Sequence, residues 1–359
     1  MNVDSRDVIF VTSLGMHRFG FLLSVVLATG AVTSFAQDGA RRPAVRVDPI
    51  STIIDAFASY PVVALGEGAH GNVQGHAFRL ALFRDPRFTA VVNDIVIESG
   101  SARYQDFMDR YVQGEAVPEV ELLRAVRENT VTATPAWDRP MYDEMFRAVR
   151  DINTSRPRDR QLRILLGDPP INWSEVRTAD DYRTWLLRRD SHPAELIQRE
   201  VLAKGRRALV VYGDGHFQAR HERPGRSLVG ILETAGTKVF TVTSTFADLS
   251  KFQSEVAGWP TPWLTLLKGT LVGAAPYEMF FGPPPPVEFF KANPNIEDHY
   301  DAVLVLGTAE SLRLAPIEYP RCNHPDYRRM RGARMKLAGM PDTVGERLAK
   351  ECAAAAPSQ

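Results

Sequence analysis

The 359-residue sequence predicts an α/β fold with a mainly parallel central sheet, flanked by helices and carrying helical insertions. Three observations support this prediction. Short apolar runs of strand length alternate with longer segments of helical periodicity, the apolar runs are continuous, and no internal repeat or heptad pattern interrupts the series. Continuous apolar runs are typical of parallel strands that helices cover on both faces.

The predicted strands are short, and several are directly followed by glycine or an acidic residue. In chain order they are residues 61–65, 95–97, 162–166, 208–212, 239–242 and 302–306. The spacing of apolar side chains predicts helices at 74–84, 101–112, 119–128, 140–153 and 181–203. Residues 257–286 interleave aromatic side chains with proline and glycine, which predicts an irregular excursion that either covers the site as a lid or packs on the sheet edge.

The first 36 residues have the features of a secretory signal peptide. Met16–Arg18 form a short basic region, Phe19–Val32 are apolar, and Ser34–Ala36 form a small-x-small cleavage site. Met16 is an alternative start, and an uncleaved membrane anchor is the alternative interpretation of the segment. The sequence therefore predicts a bacterial protein that is periplasmic or secreted, without stable membrane insertion after cleavage.

Three regions are predicted beyond the signal peptide. Residues 37–50 form a flexible polar segment, 51–320 the α/β domain, and 321–359 a C-terminal extension that ends in a disordered tail. The extension contains both cysteines, Cys322 and Cys352, which an oxidising compartment would allow to pair; two free thiols are the alternative. Several basic residues between 328 and 336 predict a solvated helix face.

The charge of the chain is balanced. It has 43 basic and 43 acidic residues, and its pI is near 7.1. This balance provides no global attraction to nucleic acid or to an anionic membrane. We therefore expect a small-molecule partner and no nucleic acid, while the oligomeric state stays open.

Histidines and carboxylates follow four of the predicted strands. Because ligands bind at the carboxyl ends of parallel strands, we expect these side chains to share one edge of the sheet. In chain order they are Glu67 and His70, Glu98, Asp168, and Asp214 and His216. A histidine beside a carboxylate can accept a proton near neutral pH, and Arg79 in the following helix supplies a fixed positive charge.

Sequence motifs of several enzyme classes are absent from the chain. It contains no G-x-S-x-G nucleophile elbow, no G-x-G-x-x-G dinucleotide fingerprint, no P-loop and no H-E-x-x-H motif. These absences disfavour serine hydrolases and nucleotide chemistry. Activation of water remains, either by a histidine–glutamate pair or by a metal that the same side chains would hold.

The segment Leu65–Gly71 resembles the glycine-glutamate-histidine motif of the erythromycin esterase family. That family belongs to a broader superfamily that includes the Tiki metalloproteases and the ChaN haem-uptake proteins. The resemblance continues through Arg79, Ile97-Glu98, Arg189-Asp190 and His216, and it spans about residues 55–307 as scattered motifs. The esterases usually carry His-Asn-x-His where this chain has Gly213–His216, so one histidine of that pair is missing.

The resemblance implies a hydrolase that needs no cofactor and that cleaves an ester or a related bond with histidine-activated water. His70 would be the base, Glu67, Arg79 and Glu98 would organise it, and His216 would face it. Substrate-binding residues would then be Arg189, Asp190, Asp168 and Asp214. Two alternatives stay open: a metal-dependent Tiki-type hydrolase with His70, His216, Glu67 and Glu98 as ligands of a divalent metal, and a non-catalytic haem- or ligand-binding protein of the ChaN type.

Overall fold

In a computed structural model of the protein, residues 41–218, 227–247, 253–256, 258–281 and 295–354 are described. The predicted signal peptide, the start of the flexible segment and the end of the C-terminal tail lie outside these residues, as does part of the predicted excursion. No helix in the described ranges has the length and apolar character needed to cross a membrane.

A seven-stranded sheet forms the centre of the fold. Its strands are β1 Val62–Gly66, β2 Asp94–Ser101, β3 Arg163–Asp168, β4 Ala208–Tyr212, β5 Val239–Thr245, β6 Trp263–Leu266 and β7 Ala302–Val305. They are arranged in the order β3-β2-β4-β1-β5-β7-β6. Every pairing is parallel except that of β6, which runs antiparallel to β7 at the sheet edge. The predicted mainly parallel α/β fold is therefore confirmed.

The helices cover both faces of this sheet. They are α1 Pro49–Ala56, α2 Val73–Arg84, α3 Pro86–Val91, α4 Gln105–Val112, α5 Glu119–Glu128, α6 Met141–Thr154, α7 Ala179–Leu186, α8 Ser191–Glu200, α9 Leu228–Thr234, α10 Gln253–Val256, α11 Glu278–Phe281, α12 Tyr319–Asn323, α13 Pro325–Leu337 and α14 Asp342–Ala354. Most begin at a side-chain cap or a proline, such as Asp48 before Pro49.

Two predicted elements differ from the structure. The long helical region predicted at 181–203 consists of two helices, because α7 and α8 are separated by Leu187–Asp190. Pro193 explains the break, since a proline fits the first turn of a helix and cannot lie inside a continuous one. Within the aromatic excursion, Trp263–Leu266 form the edge strand β6, whose four residues follow a proline and give almost no sequence signal.

The strands bury consecutive side chains in two different cores. Val63 and Leu65 point into one core with the helices α1, α2 and α4–α6, whereas Val62 and Ala64 point into another with α8 and α9. Side chains alternate between the two faces of a strand, so a strand that is covered on both sides must be apolar throughout. This explains the continuous apolar runs in the sequence.

Apolar side chains of the C-terminal extension pack with residues between 131 and 182 in a third apolar cluster, and a disulfide joins Cys322 to Cys352 within it. The predicted solvated helix face is wrong for two of its arginines. Arg331 of α13 is fully buried and Arg334 is 7% exposed. Both side chains form hydrogen bonds to residues 128–138 of the α/β domain, and these partners offset the cost of burying their charges.

Candidate active site

The candidate site lies at the carboxyl ends of β1, β2 and β4. These three strands are neighbours, and Leu65 of β1 and Ile97 of β2 both pair with Val211 of β4. The polar residues that follow them therefore meet at one edge of the sheet. Predicted residues from these loops and from the Arg189-Asp190 segment fall into two hydrogen-bonded clusters, one around His70 and one around His216.

The first cluster pairs Glu67 with His70. Oε2 of Glu67 lies 2.9 Å from Nδ1 of His70. Gly68 and Gly71 both have positive φ, and the side chain of Asn72 donates to the carbonyls of Glu67 and Ala69, so the turn between the paired residues is closed. A carboxylate at Nδ1 fixes the proton on that nitrogen and leaves Nε2 as the basic atom.

Exposure differs sharply between the two partners. The side chain of Glu67 is 3% exposed and that of His70 is 36% exposed. Among the described residues, Nε2 of His70 has no hydrogen-bond partner. Burial alone would lower the pKa of His70, but its hydrogen bond to Glu67 and the charges of Glu98 and Asp214 outweigh this effect, so the pKa is raised.

Arg79 forms an ion pair with the buried carboxylate of Glu67. It lies in α2, is 2% exposed, and places Nη2 3.3 Å from Oε1 of Glu67. The second oxygen of Glu67 thus faces a cation while the first faces His70. Because Arg79 is buried behind Glu67, it acts on the imidazole through that carboxylate.

The second cluster is centred on Glu98. One oxygen of its carboxylate accepts a hydrogen bond of 2.7 Å from the backbone of Gly213, and the other contacts Arg189 and His216. Burial would raise the pKa of Glu98, but the charges of His216 and Arg189 and the hydrogen bond with His216 hold it well below its usual range. These contacts therefore favour the ionised form of Glu98.

His216 lies between two carboxylates. Its Nδ1 is 2.7 Å from Oδ1 of Asp190, and its Nε2 is 3.3 Å from Oε1 of Glu98. Burial would lower the pKa of His216, but the charges of Glu98 and Asp190 and the hydrogen bonds to them raise it to about 10. His216 is consequently an imidazolium at neutral pH, with both N–H groups donating to carboxylates, and cannot serve as a base there.

Gly213 joins the two clusters into one site. Its backbone N–H donates to Glu98, and its Cα lies against the His70 ring: a Cβ at this position would be 2.9 Å from Cε1 and 3.2 Å from Nε2 of His70. On another side, the ring of Trp137 meets His70 edge-on with 4.3 Å between the centroids. His70 therefore sits in a fixed slot between a glycine and an indole.

Asp168 and Asp214, both predicted to bind substrate, are buried beside the site. Asp168 accepts a hydrogen bond of 2.6 Å from the backbone of Val131, and burial raises its pKa to about 8. Asp214 accepts from the backbones of Gly68 and Ser244 and from the hydroxyl of Thr243, and burial raises its pKa as well. Substrate contact by either carboxyl group stays a prediction.

The predicted metal ligands are engaged elsewhere. No group of three or more histidine, cysteine or acidic side chains in the described ranges is arranged to hold a metal ion. Glu67 is paired with His70 and Arg79, and both ring nitrogens of His216 lie beside carboxylates, so these side chains already have partners within the chain. Binding of a divalent metal and binding of haem therefore both stay predictions.

Two important residues around His70 lie outside the predicted set. Trp137 forms one wall of the histidine slot, and the Tyr142 hydroxyl accepts a hydrogen bond of 2.9 Å from the backbone of Gly71. Trp137 lies in the connection between α5 and α6 and Tyr142 lies in the first turn of α6, and neither directly follows a strand. The rule that functional residues lie at strand ends could not find them, and the sequence offers no other signal for their role.

Comparisons with known proteins add a likeness of fold. Neither the family models nor the curated proteins give a match to the chain. Among solved structures, a Bacillus cereus protein is similar at 10% identity, covering 77% of this chain and 96% of its own, with a TM-score of 0.51. A succinoglycan biosynthesis protein is similar at 10% identity, with 77% and 96% covered and a TM-score of 0.50.

An erythromycin esterase mutant in its open conformation is also similar, at 12% identity. It covers 74% of this chain and 94% of its own, with a TM-score of 0.47. Likenesses at such low identity concern the fold alone. Membership of the predicted superfamily therefore stays a prediction, and the chemistry must be argued from the residues of this chain.

Proposed function

We propose that the protein is a hydrolase in which His70 activates water to cleave an ester or a related bond. The observation that carries this proposal is the Glu67–His70 pair. The buried carboxylate of Glu67 lies 2.9 Å from Nδ1 of the half-buried His70 imidazole, and Nε2 of that ring has no hydrogen-bond partner among the described residues. This arrangement is that of a general base oriented by a carboxylate. The motif resemblance of Leu65–Gly71 supports the ester as the bond that is cleaved.

In the proposed reaction, His70 takes one proton from water and later gives it to the leaving group. Nε2 of His70 takes a proton from water as the water oxygen bonds to the carbonyl carbon. The tetrahedral intermediate then collapses, the bond to the leaving alcohol breaks, and the imidazolium of His70 gives its proton to the departing oxygen. Glu67 stabilises the transient imidazolium, because its negative charge is held beside Nδ1 in a buried setting.

His216 has an electrostatic role in this proposal. It is a permanent cation at neutral pH, and Arg189 beside it is a second one. Together they balance Glu98 and Asp190, so that the site does not repel the negative charge that develops on the carbonyl oxygen. Fixed charges of this kind need no reorganisation during the reaction, which is why a rigid strand end is a suitable place for them.

We further propose that the protein works outside the cytoplasm. Two observations support this: the signal-like sequence of the first 36 residues and the disulfide between Cys322 and Cys352. Disulfides persist in oxidising compartments and are rare where thiols are kept reduced. Cell fractionation of the tagged full-length chain tests the location, and recovery in the cytoplasm with reduced cysteines would contradict it.

The function is tested by screening carboxylic and related esters with the wild-type protein, His70→Gln and a matched control, His324→Gln. The side chain of His324, the residue before α13, is 54% exposed. Its replacement therefore controls for the loss of a histidine as such. We expect His70→Gln to lose about 10²–10⁴-fold in kcat/KM. The control should retain full activity, and a chelator should change neither value.

Unchanged turnover in His70→Gln would refute the proposed base. Loss of the wild-type activity on dialysis against a chelator, with recovery on adding zinc, would replace the proposal by the metal-dependent alternative. Circular dichroism of both variants verifies that the fold is retained, so that a loss of activity can be assigned to the chemistry.

A further inference from the structure

The wall of the His70 slot is formed by a short segment of the α5–α6 connection. Trp137 is 1% exposed and meets the His70 ring edge-on. Two residues later, the side chain of Arg139 lies against the backbone of Gly71, where a Cβ would be 2.6 Å from its Cδ. Residues 137–139 thus touch both His70 and the residue that follows it.

The C-terminal extension holds this segment in place through Asp138. The carboxylate of Asp138 is buried and accepts hydrogen bonds from the hydroxyl of Tyr327 at 2.6 Å and from Nε of Arg331 at 2.7 Å. A second guanidinium nitrogen of Arg331 bonds the other carboxylate oxygen, which makes the pair bidentate. Bidentate arginine–carboxylate pairs fix geometry as well as charge.

Arg331 also reaches the chain just before this segment. Its Nη1 lies 3.4 Å from the carbonyl oxygens of Thr132 and of Ala133, and the residue has no exposed surface. From the domain side, Arg127 donates 3.1 Å to the carbonyl of Trp137. Hydrogen bonds therefore hold the connection from both sides. The partner of Asp138 is Arg331 of α13, which lies 193 residues further along the chain.

We propose that Arg331 is a positioning residue of the active site: by holding Asp138 it keeps Trp137 against His70. The C-terminal extension, closed by its disulfide, is then a structural part of the site. This inference rests on the proposed function for its kinetic consequence, but its geometric content concerns the His70 ring alone. A displacement of a catalytic group by about 1 Å can cost on the order of 10²-fold in rate.

The experiment measures the ring protons of His70 by NMR, with the resonance assigned by its loss in His70→Gln. An aromatic ring whose centroid lies 4.3 Å away shifts these protons by its ring current. Trp137→Leu gives the resonance position without the indole. We expect Arg331→Gln to move the resonance toward that position, and Tyr327→Phe, which removes only one hydrogen bond to Asp138, to move it by a smaller amount in the same direction.

The matched control is Arg206→Gln. Arg206 forms a bidentate pair with the buried Asp94 at the start of β2, the end of the strand opposite to the site. Its loss also breaks a buried arginine–aspartate pair and lowers the thermal midpoint. A residue that only stabilises the fold would behave like this control, so the His70 resonance separates positioning from stability.

The expected result is a shifted His70 resonance in Arg331→Gln and Tyr327→Phe, with an unshifted one in Arg206→Gln. In kinetics, Arg331→Gln should lower kcat by about 10²-fold with little change in KM. An unshifted resonance in folded Arg331→Gln would overturn the proposal; if that variant does not fold, an unshifted resonance in Tyr327→Phe overturns it. Absence of hydrolysis in the wild-type protein would refute the proposed function and leave the NMR result to decide the positioning role.

Discussion

Replacing His216 by glutamine should remove a large, pH-dependent part of the stability. The charges of Glu98 and Asp190 overcome the effect of burial and raise the pKa of His216 to about 10, from an ordinary value of 6.5. Between these two values the folded protein keeps a proton that the unfolded chain has released. The stabilisation by His216 is therefore complete below pH 6.5 and is lost as the pH rises toward 10.

The size of this contribution follows from the same interval. At about 1.4 kcal/mol for each pH unit, the range from 6.5 to about 10 corresponds to on the order of 5 kcal/mol. The side chain of His216 is 13% exposed, so solvent screens it little. The neutral glutamine also leaves the buried Glu98 with Arg189 as its remaining cation, and losing one member of such a group costs about 3–5 kcal/mol.

Urea unfolding followed by tryptophan fluorescence between pH 6 and pH 10 checks this prediction. We expect the wild-type free energy of unfolding to exceed that of His216→Gln by several kcal/mol at pH 6, and the difference to shrink as the pH rises. His324→Gln, at an exposed position, should follow the wild-type curve. A difference between wild type and His216→Gln that stays constant across this pH range would refute the assigned charge state.

Three further predictions concern the neighbours of the histidines. Glu67→Gln should lower kcat about 10²–10⁴-fold and shift the acidic limb of the pH–rate profile to lower pH, because the hydrogen bond that His70 donates to Glu67 raises the pKa of His70; an unmoved limb would contradict this. Gly213→Ala should reduce activity in a folded protein, because its methyl group would lie 2.9 Å from Cε1 of His70; full activity would contradict the slot. Burial raises the pKa of Asp168 to about 8, so this carboxyl group makes the free energy of unfolding fall as the pH rises from 4 to 8. Asp168→Asn should make that fall smaller, and an unchanged pH slope in urea unfolding would argue against it.

The sequence predicts the strands and the polar residues at their ends well, because each follows from a simple physical rule. A strand covered on both faces must be continuously apolar, and a parallel sheet brings the polar residues after such strands to one edge. Glu67 and His70 lie within one turn, so their pairing follows from spacing once β1 is located. The grouping of Glu98 with His216 follows from the adjacency of β2 and β4, although the sequence does not indicate that His216 is held as a cation.

The remaining parts of the site depend on contacts that are remote in sequence. Trp137 is placed by Asp138, which is held by Arg331 from the C-terminal extension, and no periodic pattern records such a partnership. The same holds for the buried arginines of α13: a run of basic side chains predicts a solvated helix unless its buried carboxylate and carbonyl partners are known. Edge strand β6 escapes detection because four residues after a proline are too few to show a period.

The pH dependence of kcat/KM, compared with the titration of the His70 ring protons in the same protein, tests the central claim most directly. If His70 is the base, activity is lost as the pH falls, with an apparent pKa that equals the one measured for His70 by NMR. That value lies above 6.5, because Glu67, Glu98 and Asp214 together outweigh burial. A rate that stays constant while His70 titrates would contradict the proposal that its neutral imidazole activates the water.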